Sequence, residues 1–190
     1  MGKTTYARGV YKARVRAGGS AIWIDRTGQN EDLGHVVRTV RAFKLEVGRA
    51  LEAGRPFSLV VNLGWGEDHD PLWKFVYDVG AVLLVLDDPR QMMQASRIDP
   101  DLEELIELGR NREVDILATA RRPPELHGSI KNAADVVVVF RQGSRHYAEA
   151  CNGEWLNLEQ GADRILSLPR FHYLRKGEDD SVTFGKVPPT

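Results

Sequence analysis

Apolar positions recur along the chain in short blocks whose spacing switches between the helical and the extended period. Residues 3–16, KTTYARGVYKARVR, predict a helix with a basic outer face, stopped by Gly18 and Gly19. AIWID (21–25) is a short run of strand formers followed by the turn RTGQN. Leu33, Val36, Val37, Val40, Phe43, Val47 and Leu51 fall near helical spacing and predict one long helix over 31–53. FSLVVNL (57–63) predicts a strand, GWGEDHD a glycine-punctuated loop, and PLWKFVYDV a helix opening on Pro71, a position where proline is tolerated. AVLLVLDD (81–88) is continuously apolar until it ends in two acids, the pattern of a strand buried on both faces of a parallel sheet. Then follow a helix over 101–110, a strand over 114–120, a helix over 124–133 and a strand, DVVVVF, over 135–140.

Short buried strands alternating with helices predict an α/β, doubly wound, mostly parallel sheet. The tail differs: about 170–187 predicts a small terminal β-hairpin around a charged turn at 176–180. With no repeat, low-complexity tract or linker, residues 1–190 are expected to form a single domain.

Composition narrows the partners. A formal net charge of -1 provides no global basic field for nucleic acid, so any such surface must be local. Arginine outnumbers lysine 19 to 7, which suits bidentate phosphate contacts but equally follows from a GC-rich genome. One cysteine, Cys151, excludes an intrachain disulfide framework and a Cys-rich zinc site. The longest apolar run, VGAVLLVL, is far short of the roughly 20 residues that span a bilayer, and no charged-then-apolar leader precedes it. The expected compartment is the cytoplasm.

Two segments carry phosphate chemistry. Gly2-Lys3-Thr4-Thr5 reads as the second half of a phosphate-binding loop, with Lys3 and Thr4 at the first turn of a predicted helix. There a lysine reaches phosphate oxygens and a hydroxyl binds Mg2+. VLLVLDD has the form of a Walker B strand, placing Asp87 to hold Mg2+ and Asp88 to orient water, although Asp87-Asp88-Pro89 also suits a plain turn.

A third segment, LIELGRNREVDILATARRPPELHGSIKNAADVVVVFR (105–141), resembles the HerA/FtsK superfamily of DNA-pumping P-loop ATPases. It is most similar to compact phage and prophage packaging or Zot-like ATPases. The motifs are Gly109-Arg110, Ala118-Thr119-Ala120-Arg121-Arg122-Pro123, and Ala134-Asp135 through Phe140-Arg141, and LPRFHYL with a closing FGKVPP extends the likeness over the chain. The resemblance implies a P-loop NTPase fold and an ATP- and Mg2+-dependent motor acting on double-stranded DNA. It further implies a ring, a possible capsid or portal partner, and a place in the host cytoplasm or the virion. Carried over by residue, Gly2, Lys3, Thr4, Thr5 and Arg121 would bind nucleotide, and Thr4 and Asp87 would hold the metal. Asp88 would activate water, although the family usually has glutamate there. Thr119 would sense the γ-phosphate, and Arg110 and Arg112 would reach a neighbouring subunit's phosphate. Both arginines also follow a helix end, where a cation simply complements the dipole.

The phosphate loop of that family is preceded by a strand and a further glycine that this sequence does not show. Met1 is therefore expected to be an internal methionine of a longer sequence, with the central slot of the sheet left empty in its absence. Other readings are a naturally shortened, inert DNA-binding relative, a Zot-like morphogenesis factor, and a small-molecule kinase, for which no acceptor motif is visible. Trp23, Phe57 and Phe140 read as core, His127 as a surface residue rather than a ligand, and Trp73 and Tyr77 as a pair packing on their own sheet. Trp65 is a candidate for stacking on a base, and Arg8, Lys12, Arg14 and Arg16 form a modest basic stripe.

Overall fold

The computed structural model of the chain describes residues 2–25, 27–63, 70–89, 92–122, 124 and 126–188. Met1, Trp65 and Pro123 lie outside the described residues. In chain order the elements are α1 (Lys3–Arg16), β1 (Ser20–Ile24), β2 (His35–Val37), α2 (Val40–Glu52), β3 (Ser58–Val61), α3 (Asp70–Val79) and β4 (Val82–Asp87). A two-residue hairpin, β5 (Met93–Gln94) and β6 (Arg97–Ile98), leads to α4 (Pro100–Leu108), β7 (Asp115–Thr119) and α5 (Gly128–Asn132). The chain closes with β8 (Val137–Phe140), α6 (Arg145–Cys151), α7 (Gly161–Ser167), β9 (His172–Lys176) and β10 (Val182–Lys186).

Five strands form one sheet in the order β2-β3-β1-β4-β7, and every neighbouring pair is parallel. Side-chain alternation along these strands builds two cores. Ile22, Ile24, Leu59, Val61, Leu84 and Leu86 face α2, α3 and α4, which contribute Phe43, Val47, Leu72, Trp73, Val76, Leu102 and Leu105. Ala21, Trp23, Val60, Leu83 and Val85 face the other way and are covered by α1 through Ala7 and Tyr11, one helical turn apart. The sheet is doubly wound, as its alternating pattern predicts.

Helix α1 crosses the full height of its face. Fourteen residues rise about 21 Å, close to the roughly 20 Å of a six-residue strand such as β4. Its last turn reaches the edge where strands begin: Arg14 donates to Ala81 O (3.3 Å) and pairs with Asp115 (3.6 Å). Its first turn therefore lies at the edge where strands end.

Three details depart from the sequence expectations. The helix expected over 31–53 is divided. A short 3-10 turn at Glu31–Leu33 gives way to β2, and α2 starts only at Val40, capped by Thr39 Oγ1 accepting from Ala42 N (3.1 Å). Gly34 is extended, and a Cβ on it would lie 2.7 Å from Ser58 O, so the chain passes against β3 where a helix would not fit. The branched Val36 and Val37 then serve opposite faces of the sheet. The helix expected from 124 begins at Gly128, with His127 Nδ1 as its cap accepting from Ser129 N (3.3 Å), a structural use of that histidine.

The strand at 137–140 does not join the parallel sheet. β8 pairs antiparallel with β9, and β9 with β10, so the expected terminal hairpin is widened to three strands over Val139, Cys151, Leu156, Ile165 and Leu174. β1 occupies the middle of the five-stranded sheet, hydrogen-bonded to β3 and β4; it follows α1 in the chain and is not the strand expected ahead of Gly2. Among the described residues the edges without a partner strand are the outer edges of β2 and β7 there and of β8 and β10 in the smaller sheet. Trp23, Phe57, Trp73 and Phe140 are buried, as expected of core residues.

Gly34→Ala should destabilise the fold by about 1–3 kcal/mol, read as a lower urea midpoint at unchanged slope, because the new methyl must displace the β3 backbone.

Candidate functional site

Three neighbouring strands, β1, β4 and β7, end at the same edge of the sheet on a polar residue. β4 ends on Asp87 and β7 on Thr119, paired in register, and β1 runs directly into Asp25. The first turn of α1 arrives at this edge. Gly2 caps the helix with φ 120, and a Cβ there would strike the Phe140 ring at 2.7 Å, so only glycine fits this entry. No acidic residue sits in the first turn, leaving its free N–H groups and positive dipole end for an anion.

Lys3, Asp87, Asp88 and Arg121 are near enough to set one another's ionisation. Burial lowers the pKa of Lys3, and the Arg121 charge pushes the same way, while Asp88 and Asp87 hold it up. Burial raises Asp87 above the ordinary carboxylate range. The Thr119 hydroxyl opposes that shift by donating to Asp87 Oδ1 (2.6 Å), Asp88 and Asp25 reinforce it, and the Thr4 hydroxyl opposes it. Thr119 Oγ1 also accepts from Asp88 N (3.2 Å), so one hydroxyl ties both acids to β7. Asp88 has a left-handed backbone, φ 55, and its Oδ2 lies 3.4 Å from Arg121 Nε. Thr4 is exposed, Thr5 half-buried beside it on the same turn.

The two remaining candidates lie elsewhere. Arg110 and Arg112 sit in a 3-10 turn before β7, at the edge where strands begin, five residues of strand away from Thr119. Arg110 Nη2 donates to both carboxylate oxygens of Asp135 (2.7 and 2.6 Å). Arg112 closes the end of α3, donating to Tyr77 O (3.4 Å) and Asp78 O (2.8 Å) with Tyr77 beneath it. Within one chain neither reaches the Lys3–Asp87 cluster.

Asp25 was not singled out by the sequence reading, although it is 2% exposed and central to this edge. Its carboxylate accepts from Thr27 N, Thr27 Oγ1, Gly28 N and Asn30 N (2.6–3.1 Å). The signal was an acid followed by a Thr-Gly turn, the sequence of an Asx turn. Asn30 in turn accepts from Arg8 (3.1 Å), which also pairs with Asp32, while Arg122 lies over the Tyr147 ring (5.5 Å). In the basic stripe of α1, Arg8 and Arg14 thus hold the helix to its neighbours.

Cys151 is buried next to the same lysine, and burial pushes its thiol up to about 12, so it packs as a neutral group. Among the described residues no cluster of three or more His, Cys, Asp or Glu is placed to hold a metal by itself. The oxygen donors at the rim, the Asp87 carboxylate and Thr4 hydroxyl, fit Mg2+, which takes one or two protein oxygens and completes its shell with water and phosphate. A carboxylate held above its ordinary pKa by burial and two further acids is also one that a cation would relieve.

No family model matches the chain, and no curated protein matches it in sequence. Solved structures do match. B204, the DNA-packaging ATPase of Sulfolobus turreted icosahedral virus, superposes with a TM-score of 0.78 at 15% identity, covering 99% of this chain and 93% of that one. The genome-packaging NTPase B204 of Sulfolobus turreted icosahedral virus 2, solved with AMPPCP, gives 0.72 at 15% identity over 95% and 88%. The pCW3 conjugation coupling protein TcpA, solved with ATPgS, gives 0.55 at 17% identity over 96% of this chain and 55% of that one. The chain thus shares the fold of these ATPases, a mostly parallel α/β sheet of the P-loop NTPase type, as the sequence resemblance implied.

Because the Asp87 pKa is higher folded than unfolded, its charge weakens the fold at neutral pH, and that cost disappears as pH falls through the raised value. Asp87→Asn removes the charge and keeps an oxygen for Thr119. Its Tm at pH 7 should rise by roughly 2–4 °C over the parent, with the gain vanishing in acid; calorimetric melts across pH check this.

Proposed function

We propose that this chain is an ATP-hydrolysing motor subunit that moves double-stranded DNA, with hydrolysis completed at the interface between copies in a ring. The observation that carries this reading is the meeting of Lys3, at the start of a 14-residue helix, with Asp87 and Thr119 at the ends of two adjacent parallel strands. Ligands of open α/β sheets bind at this edge. The neighbours in structure include a DNA-packaging ATPase and an NTPase holding an ATP analogue, which supports nucleotide triphosphate as the substrate.

Lys3 and the first-turn N–H groups of α1 receive the phosphates, Thr5 lies beside them, and Arg121 adds positive charge. Thr4 and Asp87 would hold Mg2+, which would supply neutralisation of the negative charge on the phosphates. Asp88 faces the attacking water and accepts its proton. Thr119 positions both acids in the state described, and it contacts the γ-phosphate by releasing that hydroxyl. Arg110 and Arg112, at the opposite edge, serve the phosphate of a second copy, which is why a closed ring is required. Such arginines stabilise the charge of the transition state and are worth about 10³–10⁵ in rate. The work is done in the host cytoplasm or on the virion, against a capsid or portal; among the described residues no helix is long and apolar enough to cross a membrane.

One observation favours a second reading, a weakened or inert DNA-binding relative: Asp88 is a methylene shorter than glutamate and lies against Arg121 (3.4 Å). Hydrolysis assays with and without duplex DNA separate the two. For the motor, Lys3→Ala and Asp87→Ala each cut DNA-stimulated turnover by at least about 10²-fold, while light scattering shows an oligomer. An inert relative binds DNA with no turnover to lose. Arg110→Ala subunits should regain hydrolysis when mixed with Lys3→Ala subunits, each supplying what its neighbour lacks; absence of complementation places Arg110 in a purely structural role.

A further inference from the structure

The start of α1 borders a second group of side chains that the phosphate cluster does not use. A Cβ on Gly2 would lie 2.7 Å from the Phe140 ring and 3.5 Å from Phe171 Cα. The chain neighbours of these two phenylalanines line a cavity of about 260 Å³: Arg141, Gln142 and Gly143 on one side, Arg170 on the other. Successive Cα atoms are about 3.8 Å apart, so the Arg170 backbone lies within roughly 9 Å of Gly2 and that of Arg141 within roughly 12 Å. Both spans are shorter than a nucleoside triphosphate.

The chemistry of these groups differs from that of the rim. Lys3, Asp87 and Asp88 are compact charges suited to phosphate and metal. Arg141 and Arg170 are planar cations that stack on aromatic faces and reach hydroxyls with fixed donors. Gln142 is 8% exposed, and its Nε2 donates to Phe140 O (3.1 Å). A carbonyl can only accept, so the amide nitrogen must face it, and Oε1 points away. A nearly buried amide oriented by the backbone, in a cavity also lined by two arginines, is suited to reading the edge of a flat heterocycle.

We propose that Arg141, Gln142 and Arg170 form the nucleoside half of the site, receiving the base and ribose of the triphosphate whose phosphates meet Lys3. The assignment rests on the nucleotide reading above and adds where the other end of the molecule lies. The phosphate and nucleoside ends are then gathered from opposite ends of the sequence. Residues 3–5 and 87–121 hold the first, and the loops flanking β8 and β9 hold the second.

Calorimetric titration of the full chain with Mg2+-ATP and with Mg2+-tripolyphosphate tests this. The parent protein should bind ATP at least about tenfold tighter than tripolyphosphate. In Arg141→Ala/Arg170→Ala that ratio should collapse toward one, through loss of ATP affinity with tripolyphosphate unchanged. Arg170 also lies over the Phe171 ring (5.7 Å), so Arg141→Ala alone, at an exposed position, is measured in parallel and should lose about threefold or more for ATP only. An unchanged ratio in both variants overturns the assignment while leaving the nucleotide reading intact. Equal loss for both ligands also overturns it, because the arginines would then be phosphate contacts. If the parent binds neither ligand, the nucleotide reading fails and the assignment falls with it.

Discussion

Everything at the rim depends on how one helix is seated. Tyr11 of α1 meets Trp23 of the central strand edge to face, with centroids 5.7 Å apart, and both rings are fully buried. The Tyr11 hydroxyl, beneath the helix, donates to Leu59 O (3.2 Å) and shares a bond with Ser58 Oγ (3.0 Å), so the contact is anchored by polarity as well as by packing. Burial pushes that phenol up to about 12, keeping it a neutral donor at any physiological pH. With Tyr11 fixed, Lys3 lies eight residues, about 12 Å, further along the axis. That distance is what delivers the lysine to the ends of β4 and β7 rather than to the middle of the sheet.

The rim itself crowds three acids, Asp25, Asp87 and Asp88, together at neighbouring strand ends, and they are treated differently. Asp25 is spent entirely on its own loop, accepting four bonds. Asp87 has one strong partner in Thr119 and a raised pKa, and Asp88 is turned by a left-handed backbone toward Arg121. A half-buried carboxylate beside two more costs stability, an arrangement that the proposed cation and phosphate site would account for.

Much of this was legible in the sequence, and the exceptions have physical causes. Residues 3–16 form the helix their pattern specifies, and the acids of 81–88 end a parallel strand as read. The stretch 31–53 misled because Val36, Val37 and Val40 mimic a helical stripe. What breaks it is a close approach of Gly34 to Ser58, a tertiary fact with no local signature. DVVVVF looks like one more buried parallel strand, and only its antiparallel partner at 172–176, more than thirty residues on, takes it elsewhere. Lys3, Asp87, Asp88, Thr119 and Arg121 carry recognisable motifs and do converge. Arg141 and Arg170 fall inside the stretches that carry the resemblance and Gln142 does not, but nothing local relates the three to α1: that relation exists only through the packing of Phe140 and Phe171 on Gly2.

Helix α1 is fastened at both extremes. Gly2 is wedged against Phe140 at one, and Arg14 is tied to Ala81 and Asp115 at the other, where β7 begins three residues after Arg112. A stiff rod pinned in this way cannot slide or tilt at its first turn without tugging the corner that carries Arg110 and Arg112. In the proposed motor, filling and emptying the site at one extreme would thereby be geared to the posture of the surface that the next copy meets.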